Sequence, residues 1–198
     1  MDKGDNVLQE LKQKISNKNI LFFDMDGTLV DTNYANFLSY KKAIESVTQS
    51  KIKISYNSNK RFNREVLKSV IPNLSEAEYE KITQKKERHY KDFLSEIRLN
   101  KLVEDILLKY SKTNECVLIT DCRKDRALMT LDYFNLTDKF NNIFYRQLDS
   151  NKTKINKYKK PISCLSISPK EVIVFENEEF EIADAMIAGI PDKNIISI

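Results

Sequence analysis

The sequence predicts an α/β fold: a parallel sheet with helices on both faces, interrupted near its start by a helical insertion. Three observations carry this reading. Short, unbroken apolar runs stop abruptly at polar or acidic residues, and stretches of helical spacing separate them. One long segment, from about residue 33 to 98, breaks that alternation with much helix and little strand signal. A strand buried on both faces reads as continuous rather than alternating apolar sequence. Strands that alternate with helices build parallel sheets.

In chain order, Val7, Leu8, Leu11 and Ile15 have the spacing of an amphipathic helix. Asn19 to Phe23 then predicts the first strand, ending at Asp24. The segments Tyr34 to Val47, Arg61 to Val70 and Glu76 to Ile97 read as the helices of the insertion, with a loop near Ser55 to Asn59 and a break at Pro72. Leu102, Ile106, Leu107 and Tyr110 form a helical stripe before the second strand, Cys116 to Ile119, which ends at Thr120-Asp121. Ala127, Leu128, Leu131 and Phe134 form another after it. Ile155, Tyr158, Ile162 and Leu165 precede the third strand, Val172 to Phe175, which ends at Glu176. Ile182, Ala185, Met186 and Ala188 follow, stopped by Gly189 and Pro191, and Asn194 to Ile198 reads as a fourth strand. The organisation expected is a core of residues 1–32 and 99–198 with an insertion at 33–98. Ligand sites in such sheets lie beyond the carboxyl ends of the strands. Asp24, Thr120 and Glu176 all stand there, so residues far apart in sequence converge.

Composition narrows the chemistry. With 198 residues, 41% hydrophobic and 31% charged, the chain can bury a real core. No apolar run approaches the ~20 residues of a membrane span, and the first twenty residues lack the apolar stretch of a signal peptide. The three cysteines are therefore expected as free thiols in a reducing cytoplasm. A single histidine, His89, excludes multi-histidine zinc sites, and three glycines allow neither a GxGxxG turn nor a GxxxxGK[ST] loop. The chemistry must run on carboxylates, lysines, hydroxyls or a bound metal. A net charge of +4 suits a lysine-rich surface, and no nucleic-acid or membrane partner is expected.

The most specific feature is Asp24-Met25-Asp26-Gly27-Thr28. Two carboxylates two residues apart, just past a buried strand, can face one cleft, and Gly27 permits the sharp turn after a strand end. Phe22-Phe23-Asp24-Met25-Asp26-Gly27-Thr28-Leu29-Val30-Asp31-Thr32 resembles the first motif of the haloacid dehalogenase-like hydrolase superfamily, in the branch with a helical cap inserted after that motif. Val117-Leu118-Ile119-Thr120 resembles the second motif, with Asp121 where the family often has Asn. Val174-Phe175-Glu176-Asn177 resembles the fourth. The third motif is a lysine about two dozen residues before that acid pair, which points to Lys152, with Lys154 the nearest competitor.

The resemblance implies a three-layer Rossmann-like core and a Mg²⁺-dependent phosphatase acting on a small phosphorylated metabolite through an aspartyl-phosphate. Asp24 would be the nucleophile and Asp26 the general acid and base. Thr120 and Lys152 would hold the phosphoryl oxygens, with Asp121 beside the substrate. Asp24, Asp26, Glu176, Asn177 and Glu181 are the metal candidates. Asn177 departs from the aspartate many relatives carry, which weakens a Mg²⁺ site unless Glu176 or Glu181 compensates. Glu178 and Glu179 are expected to face solvent at a helix start. Residues 33–112 hold 17 lysines and arginines against 10 acids, so Arg61 and Arg64 are candidates for gripping an anionic substrate, as are Arg123 and Arg126. A phosphomutase of the same superfamily, and a weakly active or non-catalytic binding protein, remain the alternatives.

Overall fold

The computed structural model describes residues 11, 13–48, 53–146 and 155–198. The expected first helix lies partly outside them, at residues 7–10. Contacts divide the chain into two compact units, residues 1–30 with 99–198, and residues 31–98.

The larger unit is built on a five-stranded parallel sheet in the order β5-β4-β1-β6-β7. Its strands are β1 (Ile20–Phe23), β4 (Cys116–Ile119), β5 (Asn142–Phe144), β6 (Val172–Glu176) and β7 (Ile195–Ser197). Strand β1 lies at the centre, Phe22 opposite Val117 on one side and Val174 on the other. Burial on both faces explains the continuous apolar runs: β4 is fully buried and β6 buried along its whole length, Glu176 included. Alternate residues feed two cores. Phe22, Val117, Ile119, Val172 and Val174 pack with Tyr158, Ala185 and Ile190. Phe23 stacks on Phe175 at 4.7 Å and meets the edge of Phe140 at 5.9 Å. Each such side chain contributes about 1.5–3 kcal/mol by leaving water. The helices of this unit are α4 (Lys101–Tyr110), α5 (Lys124–Tyr133), α6 (Lys159–Cys164) and α7 (Glu179–Ile187). The α/β class with a Rossmann-like core is the observed one.

The smaller unit contains α1 (Asn33–Thr48), α2 (Arg64–Val70) and α3 (Glu76–His89), then a 3₁₀ segment at Tyr90–Glu96. Its own core is Phe37, Tyr40, Ala43, Ile44, Phe62, Leu67 and Ile82. Two-residue strands β2 (Val30–Asp31) and β3 (Arg98–Leu99) pair where the chain passes between units. Among the described residues, no helix is long and apolar enough to cross a membrane.

Several boundaries differ from the periodicity. Helix α2 starts at Arg64 rather than Arg61, because Asn63 caps it by accepting from the amides of Glu65 and Val66. The long helix expected at 76–97 stops at His89. There Tyr90 is fully buried, Asp92 is drawn to Lys42 (2.9 Å) and His89 (3.3 Å), and Phe93 leaves helical geometry. Strand β5 was not anticipated: three half-buried residues at the sheet edge are too few to stand out as a run.

Candidate active site

Three strand ends meet at one place. Asp24 follows β1, and its amide donates to the Phe175 carbonyl (3.0 Å), so the turn begins in register with β6. Asp24 is 6% exposed, and its carboxylate receives Lys157 Nζ at 2.7 Å. The same ammonium lies 2.7 Å from Glu176 Oε2 and 3.7 Å from Glu181 Oε2. Burial pushes the Asp24 carboxyl up to about 7; Lys157 opposes the rise, and Glu176 and Asp26 add to it. Burial by itself would lower the Lys157 ammonium, but Asp24, Glu176 and Glu181 together hold it above its ordinary value. The lysine is a fixed cation.

Glu176 has a defined place. Its Oε1 accepts from the amides of Asn177 (3.0 Å) and Glu178 (3.2 Å), and its Oε2 from the Tyr158 hydroxyl (2.6 Å) and Lys157. A carboxylate offers about four acceptor positions, and these four donors take them. Tyr158, raised by burial and by Glu176, stays a neutral donor. Lys157 is aimed by the turn before α6: Asn156 Oδ1 accepts from the amides of Tyr158 (3.0 Å) and Lys159 (3.3 Å).

The DMDGT turn supplies the next groups. Its amides close back on the chain, Gly27 N to Val30 O at 2.8 Å and Val30 N to Met25 O at 3.0 Å. Gly27 has φ +97°, and a Cβ there would stand 2.5 Å from Asn177 Nδ2, so both conformation and contact demand glycine. Thr28 Oγ1 donates to Asn177 Oδ1 at 3.0 Å. Asn177 is thus held against the turn that carries both aspartates. Among the described residues no group of three His, Cys, Asp or Glu is arranged to hold a metal. The oxygens at this turn are the Asp24 carboxylate and Asn177 Oδ1, hard donors of the kind Mg²⁺ takes with water completing its shell.

The carboxyl end of β4 completes the cluster. Thr120 is 2% exposed, its amide bonded to Phe144 O and its Oγ1 accepting from Cys122 N, both at 3.0 Å. Arg126 Nη2 reaches back to Asp26 Oδ2 at 2.8 Å, and its Nε lies 2.8 Å from Cys122 Sγ. Asp121 is half-buried on the same loop.

Of the expected residues, Asp24, Asp26, Thr120, Glu176, Asn177 and Glu181 lie in the larger unit around these strand ends. Lys152 and Lys154 lie outside the described residues, and the lysine found among the carboxylates is Lys157, which spacing alone did not single out in a lysine-rich run. Arg61 and Arg64 belong to the smaller unit, where Arg61 Nη2 donates to Thr32 Oγ1 at 3.3 Å and Arg64 is exposed.

Comparison with known proteins shows the family and the fold. The sequence model of the haloacid dehalogenase-like hydrolase family matches residues 21–192, and the chain belongs to that family: it is a hydrolytic enzyme by class. A haloacid dehalogenase-like hydrolase from Streptococcus pneumoniae superposes with TM-score 0.70 at 18% identity, over 92% of this chain and 85% of that one. A predicted phosphoglycolate phosphatase from Haemophilus somnus gives 0.71 at 16%, over 92% and 86%. CbbY from Rhodobacter sphaeroides, in complex with phosphate, gives 0.69 at 14%, over 87% and 83%. At these identities the likeness is one of fold. No curated protein matches the sequence.

Proposed function

We propose that this protein hydrolyses a small phosphate monoester, with Asp24 as nucleophile. The observation that carries the reading is the buried Asp24 carboxylate at the end of the central strand, held at 2.7 Å by a lysine. Asp26 is two residues on, and Thr120 ends the neighbouring strand. Asp24 Oδ attacks phosphorus, the bond to the ester oxygen breaks, and an aspartyl-phosphate forms. Asp26 gives its proton to the departing alkoxide, then takes one from the water that hydrolyses the intermediate. The Thr120 hydroxyl and Lys157 ammonium face the negative charge spread over the phosphoryl oxygens.

Mg²⁺ would be held by Asp24, the Asp26 carbonyl and Asn177, and would supply charge neutralisation for the attack of one anion on another. Glu176 is assigned a different task from the metal ligation expected of it: its four donors leave it to fix Lys157. Glu181 serves the same lysine from 3.7 Å. Arg61 and Arg64 are proposed to contribute to substrate recognition from the inserted unit, and a cytoplasmic enzyme is the setting that suits the free thiols.

One observation favours a second reading. Asn177 leaves Asp24 as the sole anionic donor in that set, so a binding or regulatory protein on the same core would show weak Mg²⁺ affinity and no turnover. The test is a panel of phosphorylated metabolites with and without Mg²⁺, and Asp24→Asn as control. Metal-dependent phosphate release that vanishes in the variant supports the hydrolase; binding without release in the wild type supports the alternative.

A further inference from the structure

We propose that the inserted unit binds a small aromatic carboxylate in a cavity of its own. The cavity measures about 250 Å³, and its lining comes from α1, the loop after it and α2. Every lining residue belongs to the unit of residues 31–98, so the site goes beyond the phosphate chemistry assigned to Asp24. The lining is aromatic at Phe37, Tyr56 and Phe62 and aliphatic at Ile54, Val66 and Val70. Phe37 meets Tyr56 at 5.4 Å and Phe62 at 6.0 Å between ring centroids, within the range of about 4.5–7 Å that aromatic pairs prefer. A ligand ring can extend this cluster by the same contacts. An apolar cavity of about 150 Å³ takes a benzene ring, so the larger volume here leaves room for an acid-bearing arm. Tyr56 and Val70 are 38% and 41% exposed, which puts the opening of the cavity at their side chains.

The lining is held in place by the chain itself, as ligand pockets usually are. Asn36 Nδ2 donates to the Phe62 carbonyl at 2.6 Å, and the Lys60 amide donates to the Asn57 carbonyl at 3.3 Å. Asn63 caps α2, and Val66 and Val70, four residues apart, share one face of that helix. The charge at the cavity is positive. Lys53 and Lys60 line it, and neither ammonium has a carboxylate partner among the described residues. No acidic side chain lines it among those residues. Asp31 acts on Tyr56 from nearby, but Arg98 acts on the same residue with the opposite sign. An apolar ring with one negative group answers both features. A neutral hydrocarbon leaves the two ammonium groups unused, and a small inorganic anion leaves the aromatic lining in water.

The experiment is calorimetry on the full chain with three probes: 1-naphthylacetate, its uncharged amide, and acetate. The expected result is that the naphthyl acid binds at least tenfold tighter than the amide, while acetate gives no binding heat at the same concentration. Lys53→Gln and Lys60→Gln together should bring the acid down to the affinity of the amide. Val70→Trp, at a position already open to water, should fill the opening and weaken both ring ligands at least tenfold; Val66→Phe fills the same face one turn earlier. Asp24→Asn should bind the acid as the wild type does, and saturating inorganic phosphate should not displace it. Those two arms separate the proposal from the hydrolase reading: a chain that binds the acid in this way and hydrolyses no ester retains the cavity site and loses the hydrolase. Equal affinity for acid and amide, no binding of either, or displacement by phosphate overturns the proposal. So does binding that neither Val70→Trp nor Val66→Phe moves, which would put the ligand elsewhere on the chain.

Discussion

At the scale of single residues, the described part of the site is organised by Lys157, set among the buried carboxylates of Asp24, Glu176 and Glu181. Asp24→Asn should abolish phosphate release and leave the fold intact, because an amide cannot form the acyl phosphate yet still accepts from Lys157; wild-type-like turnover would remove Asp24 as nucleophile. Lys157→Met should cost about 3–5 kcal/mol of stability, the penalty for breaking a buried ion pair and leaving its acids uncompensated. It should also eliminate phosphate binding. Lys152→Ala and Lys154→Ala should keep both, measured by thermal unfolding and calorimetry, and the opposite ranking would return the task to Lys152. Asn177→Asp adds a negative charge against the turn, so Mg²⁺ titration should show tighter binding; an unchanged isotherm would mean that Asn177 Oδ1 is not a ligand.

At the scale of elements, the turn after β1 is the most constrained. Gly27→Ala forces a side chain into a left-handed backbone, worth about 1–2 kcal/mol, and also pushes its Cβ against Asn177. Lower stability in urea and reduced turnover are expected together, since the same shift displaces Asp26; full activity would show the turn to be more tolerant than its contacts imply. Two of the three thiols are buried. Cys116 is buried in β4, its thiol pushed up to about 12 by burial and by Glu115, and Cys122 is 2% exposed. Only Cys164, exposed at the end of α6, should react rapidly with a maleimide in the native protein. Rapid labelling at Cys116 would mean that the sheet opens.

At the scale of the whole molecule, two units with separate cores predict separable stability. Ile82 is fully buried in the core of residues 31–98, and Ile82→Ala should cost that unit about 2–5 kcal/mol. Hydrogen exchange should then quicken across α1 and α3 while the amides of β1, β4 and β6 stay protected. Equal loss of protection everywhere would show one cooperative unit instead.

The sequence by itself determined four of the five strands of the parallel sheet and the positions of Asp24, Asp26, Thr120 and Glu176. Strands buried on both faces must be continuously apolar, and the polar residues that end them must lie at the sheet's carboxyl end. Helix ends at Asn63 and His89, the edge strand β5, and the choice of Lys157 were decided only by tertiary structure. Capping, burial of one tyrosine and pairing at a sheet edge leave little periodic trace. In a run rich in lysine, spacing cannot tell one ammonium from another. What selects Lys157 is the turn built by Asn156, together with three carboxylates brought from β1, β6 and α7, and that convergence exists only once the chain has folded.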